Sequence, residues 1–132
     1  MAFVIHELDH ARAALAAAEE RGVAVELWSV PGAAAYGGAG WFQALVRHAA
    51  AERPRARFAA VLDCAGRADL AQAAWRQGLS RVCFTGPPLV AAKLADIARH
   101  YGATVHRRRP RALDLAAERD ADAACRRWLG GD

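Results

Sequence analysis

The chain is poor in lysine and in motifs that fix a reaction. Lys93 is the only lysine among 18 basic residues, so the formal net charge of +4 comes from arginine. The bias toward Ala and Arg is typical of a GC-rich bacterial coding sequence, which makes a single arginine a weak sign of function. Arginines cluster at 107–111 without interleaved aromatic residues, and this indicates a solvated basic edge and no nucleic-acid partner.

Cysteine is also scarce, and its pattern excludes two classes of small protein. Cys64, Cys83 and Cys125 are odd in number and form no C-x-x-C or His/Cys spacing, which excludes a disulfide framework and a cysteine-ligated zinc site. We expect buried thiols in a reducing compartment. No apolar run approaches ~20 residues, and residues 1–6 lack a signal-peptide pattern. We therefore expect a soluble cytoplasmic protein with no membrane partner, metal or cofactor.

Short apolar runs alternate with helical patterns along the whole chain. Gly22, Gly78 and Gly102 each end a helical stretch just before an apolar run, as the loop from a helix to a strand requires. The apolar runs are continuous and not alternating, which is typical of strands buried on both faces of a parallel sheet. The pattern predicts a single domain over 1–132, of the three-layer α/β/α class, with a five-stranded, mostly parallel sheet.

Two strand arrangements are compatible with this pattern. The simplest is the flavodoxin-like order 2-1-3-4-5, wound on both faces. Residues 73–105 also resemble a β-α-β stretch of a TIM barrel, so a half-barrel fragment is the alternative, although a closed barrel needs eight units. The predicted strands are 2–5, 23–28, 57–62, 80–84 and 103–106, and a final helix is predicted over 113–129.

Ligands of open parallel sheets bind beyond the carboxyl ends of the strands. The least generic feature there is the loop 31–40, PGAAAYGGAG, which exceeds the usual length of about two to six residues. Its glycines would let backbone N–H groups approach an anion at a helix N-terminus, although neither a P-loop nor G-x-G-x-x-G is present. A small-residue packing loop is the alternative. The candidate ligand-binding residues are Ser29, Tyr36, Gly37, Gly38, Gly40, Trp41, Asp63, Thr85 and Gly86.

A second set of polar residues follows the same strand ends and could supply acid–base chemistry. Cys64 could be a nucleophile with His6 or His106 as its base, but a packed thiol is the more ordinary role. His6 and His10 have the spacing of metal ligands, with a capping or solvated pair as the alternative. The possible acid–base or polar cluster comprises His6, Glu7, Asp63, Cys64 and His106.

The order of these residues resembles a response-regulator receiver domain. Acidic residues (Glu7, Asp9) follow the first strand, Asp63 follows the third and Thr85 follows the fourth. The receiver lysine is absent, and Arg109-Pro110 is the nearest counterpart. The resemblance implies a metal-dependent phospho-acceptor at Asp63, whereas the simpler role of Asp63 is to cap the following helix.

Three functions remain open. We expect a protein that binds a small phosphate- or carboxylate-bearing ligand at the carboxyl ends of the strands, most simply without catalysis. The alternative is a degenerate receiver-like module that acts as a homodimer, since small-residue helix faces permit close packing across a two-fold axis. A small enzyme using Asp63, Cys64, Glu7 and His6 is the weakest of the three.

Overall fold

The computed structural model describes residues 1–130, and residues 131–132 of the predicted domain lie outside this range. Six strands alternate with five α-helices, and two 3₁₀ turns lie at Ala33–Ala35 and Leu115–Ala117. The elements are β1 Ala2–Val4, α1 Leu8–Arg21, β2 Val25–Trp28, α2 Gly38–Glu52, β3 Phe58–Asp63, α3 Ala68–Arg76, β4 Arg81–Cys83, α4 Pro88–Tyr101, β5 Thr104–His106, β6 Ala112–Asp114 and α5 Ala121–Trp128.

Local signals in the sequence set most of these boundaries. Gly22 and Gly102 end α1 and α4 in the left-handed conformation, with φ of 67° and 63°. A side chain disfavours that conformation, and glycine does not. Pro88 occupies the first turn of α4, where its missing N–H costs no hydrogen bond. The predicted helix ends at Gly22 and Gly102 are confirmed. No helix within residues 1–130 is long and apolar enough to span a membrane.

The α/β class, with a parallel sheet flanked by helices, is confirmed, but the sheet has six strands and a different order. The observed order is β5-β4-β3-β2-β1-β6, and every pairing is parallel. The predicted order 2-1-3-4-5 is wrong because each of the first five strands pairs with its successor. This succession is the one expected for the half-barrel alternative, with β6 added beside β1.

The predicted final helix over 113–129 is also wrong. Residues Ala112–Asp114 form β6, which pairs in register with Ala2–Val4. Helix α5 begins only at Ala121, where the side chain of Asp120 accepts a hydrogen bond from the Ala123 N–H at 3.0 Å. The apolar residues Leu113 and Leu115 pack against the core, so a short strand and a turn bury them as well as a helix would.

The helices form one row on one face of the sheet. Neighbouring helices contact each other in the order α4, α3, α2, α1 and α5, which parallels the order of the strands. Right-handed crossovers that always advance in one direction place successive helices on the same face. The main core lies between this row and the sheet, and its largest fully buried side chains include Phe3, Phe42, Phe84 and Leu15.

The other face of the sheet carries a small separate cluster of Ala2, Trp28, Val61 and Cys83. The chain crosses this face through residues Arg107–Arg111, here called the strap, which join β5 at one edge to β6 at the other. In a flat sheet the edge strands β5 and β6 would lie five strand spacings, or ~24 Å, apart. The six residue steps that join His106 to Ala112 span at most ~21 Å, which is too short for that distance. The sheet therefore curves toward the strap, with the helices on its convex side.

Arginines of the strap attach it to the carboxyl ends of the strands. Nη1 of Arg109 donates to Oδ2 of Asp63, and its Nη2 donates to the carbonyl of Ser29, both at 2.8 Å. The Arg109 guanidinium also lies 5.3 Å from the centre of the Trp28 ring. The Asp63 side chain is only 3% exposed, so Arg109 provides the positive charge that its buried carboxylate needs.

We predict that Arg109→Ala lowers the free energy of unfolding by about 3 kcal/mol, because it leaves the buried Asp63 carboxylate without its counter-charge. Urea unfolding measures the loss. Arg108→Ala is the matched control, since Arg108 is the exposed neighbour in the same segment. Equal, small losses in the two variants would show that the contact between Arg109 and Asp63 does not hold the strap.

Candidate functional site

Asp63 lies inside a closed network of hydrogen bonds. Besides Arg109, its carboxylate accepts the backbone N–H groups of Gly32 at 2.9 Å and Ala65 at 2.8 Å. Ser29, 1% exposed, accepts the Asp63 N–H through its hydroxyl at 2.8 Å. Both carboxylate oxygens are thus engaged. The expectation that Asp63 caps the next helix is wrong, because α3 begins only at Ala68 and Asp63 instead ties the turn after β3 to that after β2.

The two thiols nearest this network are buried among apolar groups. Burial, followed by the charge of Asp63, raises the pKa of Cys64 to about 12 and that of Cys83 to about 11. The Cys64 thiol lies 3.8 Å from the carbonyl oxygen of Leu62. A thiol with so high a pKa holds almost no thiolate at neutral pH, so this environment suits packing and not nucleophilic attack.

His106 faces the strap side of the sheet, away from the helix-side core that contains Cys64. Its ring meets the Trp28 ring edge-on at 5.2 Å, and Nε2 lies 3.4 Å from Nη1 of Arg81. Burial, and then the charge of Arg81, lowers the pKa of His106. The predicted polar cluster is thus distributed over separate environments.

The glycine-rich loop forms a 3₁₀ turn that leads directly into α2. Tyr36 at its tip is 88% exposed. At Gly37 a Cβ atom would lie 2.7 Å from Cε3 of Trp41, and Gly38 has a φ of +79°, so both positions have structural reasons to be glycine. A Cβ at Gly40 would meet no atom within 4 Å. The loop thereby places Trp41 in the first turn of α2.

Thr85 and Gly86 contribute backbone contacts at the end of β4. The Thr85 N–H donates to the carbonyl of Ala65 at 2.8 Å, and the Gly86 carbonyl accepts Nη2 of Arg107 at 2.8 Å. Phe84 provides a second carbonyl for Arg107, at 2.6 Å. The carboxyl end of β4 is therefore covered by the strap, as are those of β2 and β3.

An open groove of about 390 Å³ remains at the carboxyl end of β1, between the start of α1 and one face of α2. This β1 groove has an apolar floor and a polar rim, and its residues on α2 recur at helical spacing. Among the predicted residues, it brings together His6, Glu7 and Trp41. Its lining is completed by Leu8, Ala44, Leu45 and His48.

Two contacts fix the histidines at the start of α1. Nε2 of His6 lies 2.7 Å from Oδ1 of Asp114 at the end of β6. The His6 N–H donates to Nδ1 of His10 at 3.0 Å, so His10 supplies the acceptor for a backbone group before the helix. Among residues 1–130 no group of three or more His, Cys, Asp or Glu could hold a metal ion.

Apart from Trp41, sequence reasoning missed the side of the groove that α2 supplies. Trp41, Leu45 and His48 are spaced at i, i+4 and i+7, a signal that identifies one helical face. The spacing does not reveal that α2 packs beside α1, because that depends on the strand order. Asp114 was missed because it was assigned to a helix and not to the end of β6.

We predict that the thiols of the native protein react slowly with a chromogenic disulfide reagent at pH 7.5 and react rapidly after unfolding in urea. The reason is burial, which also raises the pKa of Cys125 to about 12. Cys64→Ala should leave the slow native rate unchanged. A fast native phase that this variant removes would restore Cys64 as a nucleophile.

We predict that the free energy of unfolding falls as the pH is lowered from 7.5 to 5, with His10 as one source. Burial lowers the pKa of His10, and the nearby charges of His6 (lowering) and of Glu7, Asp114 and Asp9 (raising) act on it as well. Because the folded pKa is below the unfolded value of about 6.5, the unfolded chain binds the proton first. The stabilisation is present above the unfolded pKa and is lost as the pH falls through the folded one.

His10→Asn tests this source, since the asparagine oxygen can still accept the His6 N–H but does not titrate. Chemical unfolding across the pH range should show a smaller decrease in this variant. The same substitution at the exposed His100 is the control for loss of an imidazole. Equal flattening of the two profiles would contradict a specific role for His10.

Comparison with known proteins does not assign the chain to a family. No family model matches the chain, and no curated protein matches it. The geometry of the β1 groove is therefore the basis for a proposed function.

Proposed function

We propose that the protein binds a small molecule that joins an apolar or aromatic part to a carboxylate or phosphate, and that the β1 groove is its site. The observation that carries this proposal is the pairing of an apolar floor with a rim that offers the N-terminus of α1 and the imidazoles of His6 and His48. Small-ligand sites combine a mostly apolar lining with a few placed polar groups, and a volume of about 390 Å³ lies within their usual range.

The floor suits a flat or branched apolar group. Trp41 is 43% exposed, so its ring offers a face that the protein itself does not cover. Leu8 and Leu45 flank it from the two helices that form the walls. Covering an exposed indole removes a large apolar area from water, at roughly 25 cal/mol per Å².

The rim suits a negative group. The N-terminus of α1 opens beside the groove, and Glu7 at its N-cap position makes no side-chain capping bond. The first N–H groups of a helix carry a partial positive charge that attracts anions. His6 and His48 add imidazoles that donate a hydrogen bond when protonated. With Nε2 of His6 held by Asp114, a ligand would use its Nδ1.

The geometry gives less support to the two other functions. A receiver-like phospho-acceptor requires an accessible carboxylate after β3, and that of Asp63 is buried and fully bonded. Catalysis by Cys64 would require a thiolate and an adjacent base, while its nearest polar contact is a backbone carbonyl. Binding without a reaction needs neither.

The test uses a matched pair of probes, phenylacetate and phenylacetamide, which differ in charge but hardly in shape. Phenylacetate should bind and alter tryptophan fluorescence, and the neutral amide should bind about tenfold more weakly because it lacks a charge-assisted hydrogen bond. Phenyl phosphate tests the second anion class in the same way. Isothermal titration calorimetry and fluorescence provide independent measurements.

Substitutions of groove residues show whether the binding signals come from the β1 groove. Trp41→Leu should remove the fluorescence change, and His48→Gln should weaken the anion without affecting the amide. His100→Gln is the control, since His100 is exposed on α4. Absence of saturable binding of any of these probes up to about 10 mM, or equal loss in the control, would refute the proposal.

A further inference from the structure

A cavity of about 620 Å³ lies at the amino ends of β1, β2 and β3, on the face of the sheet that the strap crosses. It is called here the amino cleft. Pro110 and Arg111 of the strap reach its rim, whereas Arg109 holds the preceding part of the strap at the carboxyl ends of the strands. None of the residues that line the amino cleft belongs to the β1 groove, so it is a separate opening.

The floor of the amino cleft belongs to one row of residues that are in register across neighbouring strands. Glu26 of β2 pairs with Ala2 of β1 and with Ala59 of β3. Paired residues of parallel strands place their side chains on the same face of a sheet, and Ala2 shares the strap-side cluster with Trp28. The row therefore presents one carboxylate between two alanines, whose methyl groups leave the space beside Glu26 unfilled.

Trp28 fixes the Glu26 carboxylate on this face. The indole Nε1 of Trp28 donates a hydrogen bond to Oε1 of Glu26 at 2.9 Å. Trp28 is only 1% exposed and lies two residues away in the same strand, so this donor is itself held by the surrounding core. An indole is a neutral donor. The contact therefore engages one oxygen of the carboxylate and leaves Oε2 and the negative charge for a second partner.

Within residues 1–130 no basic group forms an ion pair with Glu26, and the two arginines on the rim of the cleft have other partners. Nη2 of Arg57 donates to the carbonyl of Gly22 at 2.7 Å. The guanidinium of Arg111 lies 5.1 Å from the centre of the Trp128 ring. The other side chains that line the cleft are apolar. A carboxylate in such surroundings favours a ligand that brings its own positive charge.

The donor set of the cleft distinguishes between two kinds of cation. A metal ion requires several oxygen ligands, and one carboxylate oxygen does not supply them. An ammonium group requires a single charged acceptor for one of its N–H groups, which Oε2 of Glu26 provides. A volume of about 620 Å³ lies within the usual range of small-ligand sites, and Met1, Ala24 and Pro110 offer apolar contacts to a short hydrocarbon chain.

We propose that the amino cleft binds a small primary amine, with the Glu26 carboxylate as the partner of its ammonium group. Oε2 accepts an N–H of the ammonium group while Oε1 keeps the hydrogen bond from Trp28. The hydrocarbon part of the amine lies over the alanines on either side of Glu26. This ligand has the opposite charge to the one proposed for the β1 groove, and the two sites share no residue.

The experiment titrates the protein with butylamine, which is protonated at pH 7.5, and with 1-butanol as a neutral molecule of nearly the same shape. Isothermal titration calorimetry at constant ionic strength measures both. Butylammonium should bind about tenfold more tightly than the alcohol, because only the ammonium group makes a charge-assisted hydrogen bond to Glu26. Equal affinities, or no saturable binding of butylammonium up to about 10 mM, would overturn the inference.

Two substitutions test the cleft in different ways. Glu26→Gln keeps an oxygen that accepts the Trp28 N–H but removes the charge, so it should weaken butylammonium about tenfold and leave 1-butanol unaffected. Ala59→Val keeps the charge but fills the space beside it, and it should weaken both molecules. Glu20→Gln, which removes the same charge from an exposed position near the end of α1, is the control. Equal weakening by Glu20→Gln would contradict a specific role for Glu26.

NMR shifts locate the bound amine without any substitution. Shifts of the Trp28 indole N–H and of the backbone amides of Ala2 and Ala59 would support the amino cleft. Shifts confined to the starts of α1 and α2 would place the amine in the β1 groove and overturn the inference. Failure of the amine to bind leaves the proposed function of the groove unaffected, because that function is tested with anions and with different residues.

Discussion

The contact between Arg109 and Asp63 is the interaction on which the arrangement of this molecule depends. A parallel sheet buries both faces, and here the helices cover only one. A five-residue strap must cover the other, and it is attached where Arg109 reaches Asp63 and the Ser29 carbonyl. The same contact fills the space beyond β2 and β3 with the protein's own charges. The position at which open α/β sheets usually bind a ligand is thereby occupied by side chains of the protein itself.

The strand order and the strap have one physical origin. Each crossover between β1 and β5 leads to the next strand of the sheet, so the helices all lie on the same face. A doubly wound sheet has a crevice between two strands whose helices lie on opposite faces, and this sheet has no such pair of strands. The chain must then return across the concave face to place β6 beside β1. Trp28 occupies that face with Arg109 against its ring, and its indole N–H donates to Glu26 at 2.9 Å.

Signals between residues close in sequence predicted most of the elements, because glycines such as Gly22 and Gly102 act within a single turn of chain. Strand order depends on pairings between distant segments, which such signals do not encode. The candidate site shows the same division. Asp63 was correctly placed at a strand end, yet its role follows from Arg109, which lies 46 residues away in the chain. His48 and Asp114 complete the β1 groove only through the packing of α2 and the pairing of β6.

Without a crevice between oppositely wound halves, openings in this fold arise where neighbouring elements differ in length. The β1 groove forms because α1 begins four residues after a three-residue strand, which exposes its N-terminus beside the longer α2. A second opening, of about 300 Å³, lies beside the amino half of β3 because β4 is half as long as β3. The two openings lie at opposite ends of the sheet, because one is lined by the start of α1 and the other by the start of β4.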